Sequence, residues 1–369
     1  MISLLTEPPG FRADLAAIRR QLIERETADP AGPTATTEVL TLRHREVMLT
    51  GGRPEDLMAL GGAVDDAAER FPAWPDLRLL RATIALAVHR HDQASAALDA
   101  LPGLASTPPG RVLAADIAQF TGDYDGARTG YLAAAREEPS WDTTARLAAL
   151  AVATGEVEEA DRRYAAAEDD ITAKQMRAFA WVRVQRADLA QALGDLDRAG
   201  RLLADADRAY PDWWYVAVHR AALDAAEGRP DRAATGYRSV LSQVDRPEFI
   251  EALGTARLAA GDADRAAACH SVALSAYLGS VARGEVHYLH HLAAFHADVH
   301  PHTAAAVAWA RQDADLHRNG TTLSLLAWCL HRAGHRDEAL AVLDEAFALG
   351  AGDPLLQVRA RTIRKGLPT

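Results

Sequence analysis

The stretch Glu248 to Tyr277, EFIEALGTARLAAGDADRAAACHSVALSAY, decides the fold because its pattern returns along most of the chain. Apolar and small residues recur at helical spacing on both sides of Gly261, which predicts two amphipathic helices joined by a tight turn. Leu253 precedes that glycine by eight residues, and Ala266 follows it by five. The stretch therefore predicts a helical hairpin.

The hairpin pattern repeats with a nearly constant period. A glycine followed five residues later by an alanine occurs at Gly122, Gly155, Gly194, Gly228, Gly261 and Gly334. These glycines are 33, 39, 34, 33 and 73 residues apart, and the last interval holds two units, with a hidden turn near His300 and Ala305 in the alanine position. His89 and Gly52 extend the series towards the amino terminus. A period near 34 residues predicts a solenoid of stacked hairpins.

Further positions of the unit also recur. A large residue follows the turn by nine residues at Tyr131, Tyr164, Tyr237 and Trp309, an alanine follows it by twelve at Ala134, Ala167, Ala206, Ala273 and Ala346, and a proline follows it by seventeen at Pro139 and Pro211. With these residues the chain resembles the tetratricopeptide repeat family over about residues 34 to 350. It departs from the family pattern where prolines are missing or displaced and in two units that are five residues longer. The resemblance implies an α-solenoid whose concave surface binds proteins or peptides, and it implies no reaction.

We therefore expect an all-α fold, an α-solenoid or superhelix of about eight hairpins that are similar to tetratricopeptide repeats. Residues 1–33 are predicted to be an N-terminal capping helix and a proline-rich linker, and residues 34–350 the repeat array. Residues 351–369 are predicted to be a C-terminal capping helix and a tail. Helix should exceed about two thirds of the chain, with no sheet, against about one third in an ordinary globular protein.

Charge and composition limit the partners. The net charge of −11 argues against nucleic acid, because binding to phosphates depends on an excess of Lys and Arg. No run approaches the 18 apolar residues of a membrane span, and residues 1–9 do not read as a secretory leader. We expect a cytoplasmic protein with a protein or peptide partner, and neither nucleic acid nor membrane.

The resemblance also indicates which residues face the groove. In the family the first helix of each hairpin lines the concave groove, and helical spacing places the residues thirteen, ten, six and three before the turn on that one face. Counting back from the successive turns predicts a ligand-binding surface of nine residues. They are Trp181, Asp188, Tyr215, Glu248, Glu251, His287, His290, Trp328 and His331.

Histidine is concentrated in one part of the chain and supports an alternative. Ten of the fourteen histidines fall between residues 270 and 335. Imidazole and carboxylate together form a ligand set that suits zinc, iron or manganese. The alternative function is therefore a metal-dependent enzyme or a metal-binding accessory protein that uses the histidine-rich repeats 285–335. Its candidate metal ligands are His287, His290, His331, Glu248 and Glu251.

The main hypothesis is a scaffold without catalysis of its own. No phosphate-binding loop, dinucleotide fingerprint or nucleophile elbow occurs in the sequence. The same inward-facing residues could instead hold a polar or cationic ligand without a metal. No catalytic residue is assigned.

Overall fold

The computed structural model describes residues 10–28 and 32–366. Helices make up 80% of the chain, and the described residues contain no strand. The predicted all-α fold is therefore confirmed. The expectations for residues 1–9, for the linker centre at 29–31 and for the tail at 367–369 lie outside the described residues.

The helices follow one another with short loops between them. In chain order they are α1 Phe11–Thr27, α2 Pro33–Leu49, α3 Pro54–Arg70, α4 Pro75–Ala87, α5 His91–Asp99, α6 Pro108–Phe120, α7 Tyr124–Glu137, α8 Trp141–Ala153, α9 Val157–Asp170, α10 Met176–Ala192, α11 Leu196–Ala209, α12 Trp214–Ala226, α13 Pro230–Leu241, α14 Pro247–Ala259, α15 Ala263–Ala282, α16 Leu289–Ala294, α17 Thr303–Leu316, α18 Gly320–Arg332, α19 Arg336–Ala348 and α20 Pro354–Lys365. A 3-10 turn at Leu104–Ser106 precedes α6, and a π-helical turn at Phe295–Val299 continues α16.

The hairpin turns use the left-handed backbone region, as the recurring glycine predicts. Gly122 has a φ of +90° and Gly194 a φ of +84°, a conformation that suits a residue without Cβ. The next residue then donates its N–H back into the helix, from Asp123 to the Ala118 carbonyl at 2.8 Å. This is the Schellman ending of a helix. His89 holds a φ of +59° in the same position, which confirms that it replaces a turn glycine.

The alanine five residues after the turn is buried in the hairpin. Ala127, Ala199 and Ala233 are fully buried, which explains why no larger side chain occupies this position. The hidden turn differs from its prediction by one residue, because Ala306 is fully buried while Ala305 is partly exposed. The π-helical turn at Phe295–Val299 supplies the physical reason, since a π turn holds one residue more than an α turn.

The superhelix makes more than one turn, and its second turn stacks on its first. Each loop between the two helices of an early hairpin contacts the loop that lies eleven helices further on. The loop α2–α3 meets α13–α14, α4–α5 meets α15–α16, α6–α7 meets α17–α18, and α8–α9 meets α19–α20. The hydrogen bonds across this junction include Arg246 to the Gly51 carbonyl (2.9 Å), Arg90 to the Gly284 carbonyl (2.6 Å), Asn319 to the Phe120 carbonyl (2.7 Å), Gly320 N–H to the Tyr124 hydroxyl (2.8 Å) and Gly352 N–H to the Ala153 carbonyl (2.9 Å).

The junction divides the turn glycines into two groups. A Cβ built on Gly155 would lie 2.5 Å from the Gly352 carbonyl oxygen, and one on Gly122 would lie 2.4 Å from the Arg318 carbonyl oxygen. A Cβ on Gly194 would meet nothing within 4 Å. The early turns therefore need glycine for close approach as well as for backbone conformation, whereas the later turns need it for conformation alone.

Both terminal helices pack on the array. In α1, Phe11 donates its N–H to the Pro211 carbonyl at 3.2 Å, so this helix contacts the second superhelical turn as well as α2. In α20, Leu356, Ala360 and Ile363 are buried against α18 and α19. Their positions fit the predicted capping roles, which stay predictions.

Candidate functional site

Five side chains of α10 and α12 form a polar and aromatic surface, here called the α10–α12 strip. It consists of Trp181, Gln185 and Asp188 on α10, and Tyr215 and His219 on α12. The spacing of four and three residues along α10 places its three members on one helix face. Gln185 Nε2 donates to the Tyr215 hydroxyl at 2.9 Å, and His219 Nδ1 lies 2.7 Å from Asp188 Oδ1.

The strip is held in place by these cross-helix contacts. The rings of Tyr215 and His219 pack edge to face with their centroids 4.7 Å apart. Burial raises the pKa of Tyr215, which keeps its hydroxyl protonated and available as a neutral hydrogen-bonding group. The Asp188 side chain remains 45% exposed, so the strip has a solvent-exposed polar end beside its buried aromatic part.

A recess opens at each end of the strip. Beyond Trp181 lies a cavity of about 670 Å³, which also contacts Tyr210 and Trp213. Beyond Asp188 lies a smaller cavity of about 320 Å³, whose wall includes Leu355 from the start of α20. The strip therefore connects two concave sites on one face of α10.

A second aromatic patch surrounds Trp328 on α18. Its indole N–H donates to Asp298 at 3.0 Å, across to the π-helical turn of the preceding hairpin. The guanidinium groups of Arg332 and Arg359 lie 5.8 and 6.0 Å from the centre of the Trp328 ring. The ring of His331 lies 5.9 Å away. Cations over an indole face stabilise this cluster, which joins α18 to α20.

The two predicted carboxylates on α14 have separate partners. Glu248 pairs with Arg246 at the start of the helix, and one of its carboxylate oxygens is buried without a hydrogen bond. Glu251 accepts a hydrogen bond from the Tyr277 hydroxyl at 2.7 Å. Burial raises the pKa of Glu251, which favours its protonated form.

The two predicted histidines before the hidden turn make different contacts. His287 precedes α16 instead of lying on it, and it is buried with its Nε2 3.2 Å from the Ser280 hydroxyl. Burial lowers the pKa of His287 to about 4. His290 lies on α16, and its Nδ1 is 2.9 Å from Asp313 Oδ2 on α17.

The predicted metal ligands are not brought together. Across residues 10–28 and 32–366, no group of three or more His, Cys, Asp or Glu side chains has a geometry that could hold a metal ion. The five candidates are divided among an Arg246 pair, a tyrosine contact, a buried serine network, an Asp313 pair and the Trp328 patch. The metal-dependent alternative is therefore not supported.

Comparisons with known proteins concern the fold. Neither a protein-family model nor a curated protein sequence matches this chain. Among solved structures, the APC/C hetero-tetramer Cut9–Hcn1 matches at 12% identity and a TM-score of 0.50, with 99% of this chain and 72% of that chain covered. The chain has the tetratricopeptide repeat (TPR) fold. Human IFIT1, solved as a dimer with PPP-AAAA, matches at 12% identity and a TM-score of 0.50, with 92% and 95% covered.

A shorter match is a thermophilic TPR protein of Thermus thermophilus, at 23% identity and a TM-score of 0.38, over 46% of this chain and 91% of that chain. Identities this low show the fold alone. None of the described helices combines the length and the apolar character that a bilayer crossing requires.

The TPR register explains which strip residues the sequence reasoning missed. Gln185 lies nine residues before the turn at Gly194, and His219 lies nine before Gly228. That position was left out of the predicted inner face, although it falls between the positions of Trp181 and Asp188 on the same side of the helix. A count that included it would have found both residues.

Proposed function

We propose that this chain is a TPR scaffold that binds a protein partner through an extended peptide segment laid along the α10–α12 strip. The continuity of the strip with a recess at each end carries the proposal. From Trp181 to Asp188 the helix advances about 10 Å, which is the length of about three extended peptide residues. Side chains on either side of such a segment then reach the two recesses.

The chemistry of the strip suits a peptide backbone. Gln185, Asp188 and His219 offer donors and acceptors that a backbone amide can use, while Trp181 and Tyr215 offer flat apolar surface. Convergent polar groups in a concave and otherwise apolar surface are typical of binding sites. This role requires no reaction, so the proposed scaffold has no catalysis of its own. The remaining predicted groove residues and the cytoplasmic location stay predictions.

A displayed peptide library selected on the intact protein tests the proposal. Selected peptides should bind the Asp188→Arg variant at least about tenfold more weakly than the wild type, since the charge at one end of the strip is reversed. Asp207→Arg is the matched control, because Asp207 is an exposed carboxylate on the outer helix α11. Asp188 pairs with His219 at a partly exposed position, so both variants should keep nearly the wild-type melting temperature.

Two outcomes contradict this function. Peptides that bind Asp188→Arg as tightly as the wild type place any recognition elsewhere, and a library that yields no binder argues against peptide recognition altogether. The exclusion of nucleic acid from net charge is not supported, since a protein of this fold was solved with PPP-AAAA. A short labelled RNA added to the same binding assay tests that partner directly.

A further inference from the structure

The cavity beyond Trp181 lies between the first two helices and the start of α10, where the first superhelical turn meets the second. Its rim is exposed and polar, with Gln21, Arg45 and Lys174. Its floor is buried and aromatic, with Tyr210 and Trp213. A volume of about 670 Å³ falls in the usual range for pockets that hold small molecules.

The charge of the rim is opposite to that of the chain. Arg45, Lys174 and Arg177 all contribute to the lining, and none of them forms an ion pair with a carboxylate in the part of the chain that the structure describes. The acidic residue of the lining, Asp14, already accepts a hydrogen bond from the Tyr210 hydroxyl at 2.7 Å. Three cations thus gather at one cavity in a chain with a net charge of −11. A cavity of this sign attracts anions.

The start of α10 adds backbone donors to the same wall. The helix begins at Met176, and the residue before it, Gln175, makes no side-chain capping bond. Gln175 instead accepts hydrogen bonds from Thr172 at 3.0 and 3.2 Å. The first N–H groups of this 17-residue helix therefore have no protein cap, and the helix dipole makes that end favourable for negative charge.

The floor of the cavity is buried and aromatic. Tyr210 is 1% exposed and Trp213 is 8% exposed. The rings of Tyr210 and Trp213 meet edge to face at 5.4 Å, which gives the floor a fixed shape.

We propose that this cavity binds a small organic anion, in which a carboxylate or phosphate is joined to a flat apolar body. The anionic group lies against Lys174, Arg177 and the uncapped start of α10. The apolar body rests on the aromatic floor. The site is the recess at the Trp181 end of the α10–α12 strip, which a side chain of the proposed peptide would also reach, but anion binding there does not require peptide binding.

Titration calorimetry on the intact protein tests this site with three probes of the same shape. They are 2-naphthoate, 2-naphthyl phosphate and the uncharged 2-naphthalenemethanol. At least one anion should bind, and the uncharged probe should bind at least about tenfold more weakly. Which anion binds more tightly distinguishes a carboxylate ligand from a phosphate ligand. Raising the salt concentration should weaken the binding of the anions and leave the binding of the uncharged probe unaffected.

Two variants locate the binding. Lys174→Gln combined with Arg177→Gln should weaken the binding of the anions at least about tenfold and leave the affinity for the uncharged probe unchanged. The matched control is Arg136→Gln combined with Arg201→Gln, two exposed cations on the outer helices α7 and α11.

The proposal fails if neither anion binds, or if the uncharged probe binds as tightly as the anions. It also fails if the Lys174 and Arg177 pair of substitutions changes affinity no more than the control pair does. Both substituted side chains are at least partly exposed, so folding of these variants is expected and a thermal melt verifies it. A positive result here stands even if no peptide binds the α10–α12 strip.

Discussion

His91 and His317 are 226 residues apart in the chain, yet their Nδ1 atoms lie 2.8 Å from each other in the junction between the superhelical turns. Such a contact requires one ring to donate and the other to accept, so at least one ring must be neutral. Burial and the neighbouring His317 lower the pKa of His91 to about 3, and the ring of Phe120 stacks on it at 5.4 Å. Burial also lowers the pKa of His317. The pair is therefore a contact between neutral rings, and protonation at low pH would disrupt it.

Stability should fall as the pH is lowered from 7 towards 4, and His91 should account for part of the fall. The folded-state pKa of about 3 lies below the ordinary value of 6.5, so in this window the unfolded chain binds a proton that the folded chain does not. Each such histidine costs about 1.4 kcal/mol of unfolding free energy per pH unit. Urea unfolding at several pH values should show a shallower pH dependence for His91→Gln than for the wild type.

The control for this measurement is His335→Gln, which removes an exposed histidine. It should leave the pH dependence nearly unchanged. Equal slopes for His91→Gln and the wild type would mean that His91 is protonated to the same extent in both states, and the buried neutral pair would then be wrong.

At the residue scale, sequence reasoning predicted part of the candidate surface. Trp181 and Asp188 were expected on the inner face of one helix and Tyr215 on the inner face of another, from their distances to two turn glycines, and these three residues lie side by side in the structure. The count failed near His287, because it assumed a regular helix across a segment that contains a π turn. Nothing in the sequence marks that turn except the absence of the usual glycine.

Among the elements, α20 packs on α18 and α19, the preceding helix pair. Leu356 is fully buried on its inner side, while the adjacent Leu355 is 54% exposed. The guanidinium of Arg359 lies over Trp328 and donates to the Ser324 hydroxyl at 3.2 Å. These contacts fit the predicted capping role of α20, which stays a prediction.

Replacing Leu356 by alanine should cost about 2 to 5 kcal/mol of unfolding free energy, since it removes a buried side chain and leaves a cavity. Leu355→Ala is the matched control on the same helix and should change stability by no more than about 0.5 kcal/mol. Chemical denaturation of the two variants measures the difference. Similar losses for both would show that α20 is not docked as described.

The boundaries of most elements follow from local chemistry, and the exceptions have a physical cause. Glycine or a residue in the same conformation ends the first helix of nearly every hairpin, which made the turns predictable. Of the five additional residues before the hidden turn, much of the length extends α15 to 20 residues. Its alanine-rich sequence has high helix propensity and contains no stop before Gly284.

For the whole molecule, the stacking of one superhelical turn on the next was not predictable from the repeat pattern. The pitch of a solenoid is the sum of many small rotations between neighbouring hairpins, and the sequence does not show these rotations individually. The accessible surface of 17682 Å² still exceeds the roughly 14,000 Å² expected for a compact protein of this size. Even with its two superhelical turns stacked, the solenoid therefore exposes more surface to water than a globular fold of the same size would.

The junction predicts that two similar glycine substitutions differ in cost. Gly155 and Gly194 have φ values of +81° and +84°, so alanine brings about the same backbone strain, roughly 1 to 2 kcal/mol, at each. At Gly155 the new methyl group would also meet the Gly352 carbonyl 2.5 Å away, which adds about 1 to 3 kcal/mol. Gly155→Ala should therefore be clearly less stable than Gly194→Ala in urea unfolding. Equal losses would mean that the two superhelical turns do not touch in solution.

The constant offset of eleven helices also constrains how such a chain can change length during evolution. In an open array each repeat contacts only its neighbours, so a new unit can be accepted at any position. Here a unit inserted between α5 and α14 would shift later loops away from the early turns that they cover, and would misalign the junction on both sides. Additions beyond α20 would continue the coil without moving any existing contact. We therefore expect related chains to vary in hairpin number mainly at their carboxyl end.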